Sequence, residues 1–343
     1  MKQIFLFSCF AVALAFALPL LLYVPGAAPA PTPEIPEAFA PTPEAALYAR
    51  SPAPTQAQVV LDESIRLTLR TGSGTEEIAM SDYLPLALAG EMPASFAPEA
   101  LKAQAVALRT YALHYRAERK AAHPDADVCD SPGCCAALAD EETRRAAWGE
   151  RYGEYADKLA AAVRETDGQY LVWEDAPALT VFHASSAQRT EAGAALGVNA
   201  AYLVSVETPE TESGVRNLCS SVEVTAEEFA RAVGLVAPEA DLSGAPETWV
   251  GPVHLDAAGR VSAVELGGAS LSGLALRQLF SLRSTDFTLR WTGEHFLFRV
   301  RGYGHGLGMS QYGANLMAQG GADYAAILSH YYPGTALVVA LRE

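Results

Sequence analysis

The chain has 343 residues, of which 50% are hydrophobic and 19% are charged. This composition is that of a globular protein with one large domain or two modest ones. The formal net charge of −16 argues against nucleic acid as the main partner, because phosphate binding requires a basic surface. The same excess of acid argues against adhesion to anionic lipid. An anionic ligand would therefore need a local cluster of lysine and arginine.

An apolar run over residues 4–24, preceded by Lys2, predicts that the rest of the chain is exported. A bilayer-spanning helix needs about 20 residues, whereas the apolar core of a cleaved signal peptide has roughly 7–15. We therefore favour an uncleaved membrane anchor at residues 1–24, and signal cleavage after the small residues at 28–30 is the alternative. The prolines that follow predict an extended linker over residues 25–57. The folded domain would then cover residues 58–343.

The folded part opens with a predicted β-hairpin. Apolar residues alternate over 65–69, and Gly72 and Gly74 turn the chain. A short helix is predicted next over residues 81–92, and Pro93 ends it, because the residue before a proline disfavours helical geometry.

Glu91 falls in line with Leu84 and Leu88 on the apolar stripe of this short helix. A half-buried carboxyl has a raised pKa, because desolvation disfavours the charged form. Such a carboxylic acid can give its proton to a leaving oxygen. The alternative is an ordinary salt bridge at a helix end, and the spacing by itself favours this alternative.

A longer helix is predicted over residues 98–119, with an apolar stripe at steps of four and three residues. Lys102 and Arg109 share a neighbouring face, from which Arg109 could bind an anion of the substrate. The remaining predicted elements are a helix over 141–166, strands at 170–173 and 179–183, a helix over 225–234 that begins with a capping box, strands at 250–255 and 261–266, a helix over 271–282, strands at 287–291 and 296–300, and a helix over 322–330.

Cysteine usage leaves three possibilities open. Cys129, Cys134 and Cys135 cluster in the sequence, whereas Cys219 stands alone. With His123 just upstream, Cys129 and Cys134 are candidate ligands of a structural zinc ion. An exported protein could instead oxidise these thiols. A disulfide to Cys219 and reduced buried thiols are therefore the alternatives to zinc.

Two loops carry candidate binding groups. A predicted strand runs into small, polar and charged residues at 184–191, a usual place for binding groups, although a plain surface loop has the same composition. Residues 301–314 alternate glycines with polar side chains that include Tyr303 and His305. Glycine allows positive φ or a close approach to a ligand. The pattern does not match a phosphate-binding glycine loop, and its Tyr, His, Ser and Gln content favours contact with a sugar.

Three blocks of the sequence resemble the stage II sporulation protein D family, which includes an amidase-enhancer group. The first block is residues 83–111, with GEMPASF and ALKAQAV. The second is residues 182–206, and the third is residues 301–334, with GYGHG and MSQYGA. The segment CDSPGC at residues 129–134 also resembles the paired-cysteine segment of this family.

The resemblance implies a lytic transglycosylase that cleaves peptidoglycan during engulfment of the forespore and prefers glycan strands stripped of stem peptides. By motif, Glu91 corresponds to the catalytic glutamate of the family. It would protonate the glycosidic oxygen, and as a base it would then accept the proton of the muramic acid 6-hydroxyl, which attacks C1. The product is a 1,6-anhydro end, and no cofactor is required for this chemistry.

By motif, Arg109 and Tyr111 also correspond to residues that support the catalytic glutamate of the family. Beyond the resemblance, Lys102, Arg109 and Arg189 could hold the lactyl carboxylate, and Glu191 is the candidate second carboxylate if the reaction were hydrolysis. The full set of predicted substrate-binding residues is Lys102, Arg109, Tyr111, Ser185, Ser186, Arg189, Glu191, Tyr202, Tyr303, His305, Ser310, Gln311 and Tyr312.

The partners implied by the resemblance are a stage II sporulation protein P-type amidase and further membrane proteins. The catalytic domain would lie outside the cytoplasm, held at the mother-cell membrane and facing the septal wall. The sequence departs from the family at two places. Ala187 and Gln188 stand where the family usually has two glycines, and Gly133 replaces a frequent histidine, which weakens the zinc expectation.

Two further functions remain open. The chain could be a non-catalytic glycan-binding protein that activates a cell-wall amidase, or a Cys/His peptidase that uses Cys129 or Cys219 with His305. Neither cysteine lies in a recognisable nucleophile turn. For the fold we expect an α+β body with small antiparallel sheets, in which the helix after Glu91 is packed centrally. A sub-lobe is expected over about residues 210–300.

Overall fold

The computed structural model describes residues 61–340. The predicted anchor at residues 1–24 and the linker at residues 25–57 lie outside this range. Within it, no helix has both the length and the apolar character needed to cross a bilayer. The fold is α+β, as predicted, because helices and several small sheets share the described chain.

The described helices, in chain order, are α1 (Met80–Glu91), α2 (Pro98–Ala117), α3 (Glu141–Trp148), α4 (Tyr152–Glu165), α5 (Ala226–Val236), α6 (Gly273–Leu279), α7 (Gln311–Gln319) and α8 (Tyr324–Tyr331). The described strands are β1 (Arg66–Thr71), β2 (Gly74–Ala79), β3 (Val128–Cys129), β4 (Gln169–Trp173), β5 (Ala176–Pro177), β6 (Phe182–His183), β7 (Cys219–Thr225), β8 (Val250–Leu255), β9 (Val261–Leu266), β10 (Ala269–Ser272), β11 (Phe287–Trp291), β12 (His295–Arg301), β13 (Met309–Ser310) and β14 (Ala336–Val339).

The chain divides into two compact units. Among the described residues, the first unit comprises 61–182 and 314–340, and the second comprises His183–Gly313. The sub-lobe expected over about residues 210–300 falls inside the second unit, whose bounds are wider.

In the first unit, α2 is the central element. It packs against α1, α4, α8 and β4, and it begins with Pro98 in the first turn, where the missing N–H costs nothing. Its alanine-rich sequence has high helix propensity and lets neighbouring elements approach closely. Two three-stranded sheets complete the unit, in the orders β2-β1-β3 and β14-β4-β5. The predicted opening hairpin is present, with Arg66 paired to Ala79.

The helix predicted over residues 141–166 is interrupted in the structure. It forms α3 and α4, joined by a 3-10 turn at Gly149–Arg151. Gly149 ends α3 with a φ of 52°, a conformation that glycine adopts without a steric penalty and that breaks the helix. The apolar periodicity continues through the turn, and the single glycine decides the break.

The second unit holds two three-stranded sheets, in the orders β10-β9-β8 and β11-β12-β7. Stacked aromatic side chains fill its core, including Phe229 with Phe296, whose ring centroids lie 4.0 Å apart. The predicted capping box at Thr225 and Glu228 is formed at the start of α5. The helix predicted over residues 271–282 is shortened to α6, because the residues before it pair with β9 as strand β10.

Candidate functional site

Glu91 is the last residue of α1 and is partly exposed. Its Oε1 accepts a hydrogen bond from the backbone N–H of Ala137 at 2.6 Å. The preceding residue, Gly90, has no room for a side chain, since an added Cβ would lie 2.2 Å from the Ala137 carbonyl oxygen. The helix end therefore carries a carboxylate that a close backbone contact holds in place.

The segment over residues 134–139 supplies this contact. This segment, which we call the cysteine segment, begins with Cys134 and Cys135 and lies along α1, where the N–H of Ala139 donates to the carbonyl of Leu86 at 3.0 Å. At its start, the carbonyl of Cys134 accepts a hydrogen bond from the Tyr111 hydroxyl at 3.2 Å. The position of Glu91 consequently depends on the conformation of the cysteine segment.

The cysteine cluster has four members rather than the three predicted. The side-chain donor atoms of His123, Cys129, Cys134 and Cys135 all lie within 4.8 Å of one another. The Nδ1 of His123 donates to the carbonyl of Ala126 at 3.0 Å, which leaves the lone pair of Nε2 facing the thiols, 3.3 Å from the Sγ of Cys135. One imidazole and three sulfur atoms are the donor set of a closed tetrahedral zinc site.

The thiols in this cluster are not bonded to one another in the structure, and Cys219 is also a free thiol. Burial raises the pKa of Cys129, Cys134 and Cys135 above the usual thiol value. A bound cation would reverse this effect, because metal coordination deprotonates a thiol outright. The sequence signal for the fourth donor was the adjacency of two cysteines at 134 and 135.

Arg109 does not have the role that the sequence suggested. It is fully buried in α2, where its Nε and Nη2 each donate to a carboxylate oxygen of Asp62 at 2.7 Å. Its Nη1 donates to the carbonyl of Gln169 at 2.9 Å. All three guanidinium nitrogens therefore bind protein groups, and the expectation that Arg109 binds a substrate anion is wrong for this structure.

Lys102 and Arg189 are also paired with carboxylates. The Nζ of Lys102 lies 2.7 Å from both Glu99 and Glu165, and these hydrogen bonds raise its pKa. The Nη1 of Arg189 lies 3.1 Å from Glu207. These pairs are partly exposed and could rearrange at little cost, so substrate binding by these two residues stays a prediction.

The Tyr111 hydroxyl holds the cysteine segment in place. Besides its bond to the Cys134 carbonyl, its hydroxyl accepts from the Nζ of Lys120 at 2.6 Å. Its ring packs edge-on against Tyr115, with the centroids 4.8 Å apart. The buried hydroxyl thus anchors the cysteine segment, and the predicted contact with substrate is not supported by its burial.

In the second unit, positive φ angles occur at every glycine of the segment over residues 302–308, which we call the glycine-rich segment. Side chains are excluded there because the neighbours are too close. An added Cβ would lie 2.7 Å from the Ser185 carbonyl at Gly302, and 2.7 Å from the Cβ of His183 at Gly304. The glycines therefore allow close packing against residues 183–185, as well as the unusual backbone conformation.

The serines predicted to bind substrate lie beneath this segment and are buried. The N–H of Ser186 and the hydroxyl of Ser310 both donate to Oε1 of Glu210, each at 2.9 Å. Burial raises the pKa of Glu210 to about 8. Ser185, Ser186, Ser310 and Gln311 are thus internal residues of the second unit, which corrects their predicted role as substrate contacts. Glu210, which organises two of them, carries no local sequence signal.

Glu191 is also buried, with 3% of its surface exposed. Burial and the nearby Asp256 raise its pKa to about 7. Its backbone N–H donates to the carbonyl of Gly306 at 2.8 Å, which ties the loop at residues 184–191 to the glycine-rich segment. The side chain lacks the exposure that a second carboxylate for hydrolysis would need, so this expectation is not met.

Of the aromatic residues predicted to contact a sugar, Tyr303, His305 and Tyr312 are partly exposed, whereas Tyr202 is buried. Burial raises the pKa of Tyr303 and of Tyr312, so both phenols stay protonated hydrogen-bond donors near neutral pH. The Nδ1 of His305 accepts from the N–H of Leu307 at 3.0 Å, which fixes the imidazole on its own loop. These three side chains are suited to stacking on a sugar and bonding its hydroxyls.

Comparison with known proteins identifies the family. The sequence model described as "Stage II sporulation protein" matches residues 71–173. The chain is 31% identical over 274 residues to "Stage II sporulation protein D" of Bacillus amyloliquefaciens, covering 79% of this chain and 77% of that protein. It is 32% identical over 275 residues to the protein of the same name from Bacillus subtilis (strain 168), covering 79% and 78%.

A shorter similarity links the chain to a protein with a different name. The "Amidase enhancer" of Bacillus subtilis (strain 168) is 47% identical over 55 residues, which is 16% of this chain and 8% of that protein. The resemblance read from the three sequence blocks is confirmed by the two longer matches. The chain belongs to the stage II sporulation protein D family.

Proposed function

We propose that this protein acts on the cell wall during sporulation, as a lytic transglycosylase that cleaves peptidoglycan strands stripped of their stem peptides. Family membership supports the sporulation and cell-wall role. The single observation that carries the chemistry is the carboxyl group of Glu91, which is partly exposed at the end of α1 and held by the N–H of Ala137.

One carboxyl group is sufficient for this reaction. Glu91 as an acid protonates the glycosidic oxygen, the C1–O bond breaks, and positive charge develops at C1. The resulting carboxylate accepts the proton of the muramic acid 6-hydroxyl, whose oxygen bonds to C1. The acid is thereby regenerated and the product has a 1,6-anhydro end. The burial of Glu191 supports this route over hydrolysis, which needs a second carboxylate at an activated water.

The test is Glu91→Gln, which keeps the size of the side chain and removes its acid. Purified protein is incubated with peptide-free glycan strands, and the products are identified by mass spectrometry. We expect anhydro ends from the wild type and no cleavage by Glu91→Gln. The control is Glu142→Gln, an exposed glutamate on α3, which should cleave normally. Reducing ends from the wild type, or cleavage by Glu91→Gln, would contradict the proposal.

Amidase activation is the second candidate, because part of the chain resembles a protein named for enhancing an amidase. In that case the protein binds glycan and stimulates an amidase of the stage II sporulation protein P type, and Glu91→Gln leaves the stimulation intact. A Cys/His peptidase is disfavoured, because a nucleophilic cysteine needs a lowered pKa. Partial desolvation and Glu212 raise the pKa of the exposed Cys219, and burial raises the pKa of Cys129.

His123, Cys129, Cys134 and Cys135 fit a structural zinc ion, and we assign them this role. Four protein ligands close the tetrahedron and leave no open position for substrate, so the ion would brace the segment that contacts Glu91 and take no part in the chemistry. Metal analysis of purified protein should find one zinc per chain, reduced in Cys135→Ser and unchanged in Cys219→Ser. Equal zinc content in all three proteins would overturn the assignment.

A further inference from the structure

Arg260 lies outside the three sequence blocks that resemble the family, in the turn between β8 and β9. It is 2% exposed. The turn holds Arg260 in place, because Oδ1 of Asp256 accepts hydrogen bonds from the backbone N–H groups of Ala258 and Arg260, each at 2.9 Å. Gly259 completes the turn with a φ of 79°. The turn of this hairpin therefore places a buried cation inside the second unit.

The guanidinium of Arg260 contacts the loop at residues 184–191 at three points. Its Nη2 donates to the hydroxyl of Ser186 at 3.0 Å and to the carbonyl of Arg189 at 3.3 Å. Its Nε lies 3.9 Å from the carboxylate of Glu191, which is also buried. Removing the cation would leave this carboxylate without its nearest positive charge, which is costly in a dry environment.

The same guanidinium lies directly against the glycine-rich segment. A Cβ added to Gly306 would lie 2.7 Å from the Cζ of Arg260. This contact excludes a side chain at position 306, and the φ of 86° there also favours glycine. One side chain therefore supports both the loop at residues 184–191 and the segment that carries Tyr303 and His305.

Hydrogen-bond directions extend this support to Leu307. Arginine only donates, so the Ser186 hydroxyl accepts from Arg260 and directs its own hydrogen to Nε2 of His183, 2.6 Å away. A carbonyl only accepts, so Nδ1 of His183 carries the hydrogen bonded to the Leu307 carbonyl at 3.0 Å. The order Arg260, Ser186, His183, Leu307 fixes a neutral imidazole in its Nδ1–H tautomer.

We propose that Arg260 is a positioning residue for glycan binding, which acts through Ser186 and His183 to hold the glycine-rich segment in its binding conformation. This inference rests on the proposed function, because it assigns the glycine-rich segment to the glycan. It extends that function to a residue in a hairpin with no motif of its own. Arg260 does not itself touch the substrate.

The experiment compares Arg260→Lys with wild type and with Arg299→Lys, an exposed arginine on β12 of the same unit. Lysine keeps the charge but loses the planar fork that reaches Ser186 and Glu191 together. Two quantities are measured. The first is the set of ¹⁵N chemical shifts of the His183 imidazole, which report its tautomer, and the second is KM and kcat on peptide-free glycan strands.

For Arg260→Lys we expect the ¹⁵N shift of Nε2 in His183 to change, because the Ser186 hydroxyl loses the donor that directs its hydrogen to this nitrogen. KM should rise about tenfold, the size of effect expected when a hydrogen bond to a charged group is lost. We expect kcat to remain close to that of wild type, because the change weakens binding and leaves the acid in place. Arg299→Lys should match wild type in both measurements.

Unchanged His183 shifts and unchanged KM in Arg260→Lys would overturn the inference. If that variant fails to fold, Ser186→Ala interrupts the same chain of hydrogen bonds and must produce the same change in the His183 shifts. A wild-type protein that cleaves no glycan would instead refute the proposed function. The His183 shifts would in that case still decide whether Arg260 orders the segment.

Discussion

Replacing Arg109 with methionine is expected to destabilise the first unit by about 3–5 kcal/mol, the cost of removing one partner of a buried ion pair. The structure gives the reason. Both side chains are almost wholly buried, and Asp62 would lose both of its 2.7 Å hydrogen bonds from the guanidinium. For a unit of about 150 residues, this loss lowers the midpoint of thermal unfolding by roughly 6–20 °C.

The assay is thermal and urea unfolding followed by circular dichroism, with glycan binding measured below the transition. Arg116→Met is the matched control, because Arg116 lies on the same helix and is exposed, and it should unfold like wild type. The double variant Asp62→Leu with Arg109→Met should recover most of the lost stability, since an apolar pair replaces the ions. Wild-type stability together with lost glycan binding in Arg109→Met would refute the reasoning and restore Arg109 as a substrate group.

Two further predictions follow from the packing and from the buried carboxyls. Gly90→Ala should cost about 1–3 kcal/mol of stability and displace Glu91, because the added methyl meets backbone atoms of the cysteine segment. Gly153→Ala, which has open space around it on α4, should be neutral or slightly stabilising in the same unfolding assay, and equal behaviour of the two would contradict the contact. Stability should fall as the pH rises from about 4.5 to about 8. Burial raises the pKa of Glu210 from 4.5 to about 8, so the stabilisation from its protonated form is complete below about 4.5 and is lost as the pH rises through about 8. Glu210→Gln should flatten the dependence of stability on pH in this range, and an unchanged slope would contradict the raised pKa of Glu210.

Several elements could be predicted from neighbouring residues alone. The opening hairpin follows from alternation and from glycines in the turn. The start of α2 follows from Pro98, and the start of α5 follows from the capping box at Thr225. In each case the signal and the structure lie within one or two turns of chain, so no distant partner is needed to decide the outcome.

The role of Arg109 could not be predicted in this way. The spacing placed it on a face beside the apolar stripe of α2, which suggested a polar face open to substrate. The structure surrounds α2 on several sides, so that this neighbouring face is also interior. Its partner, Asp62, is 47 residues away in the sequence. A periodicity identifies which residues share a face, but it does not say how many faces become buried.

The helix that ends at Glu91, the cysteine cluster as a group and the glycines at 302–308 could be predicted, because each rests on residue types in one short stretch. Which polar residues became internal depended instead on contacts between segments that are far apart in the chain. Ser186 and Ser310 donate hydrogen bonds to Glu210, and Arg260 contacts the loop at residues 184–191 from a hairpin about 70 residues away in the sequence. A buried polar group needs a hydrogen-bond partner within about 3 Å, and the fold can supply that partner from any distance along the sequence.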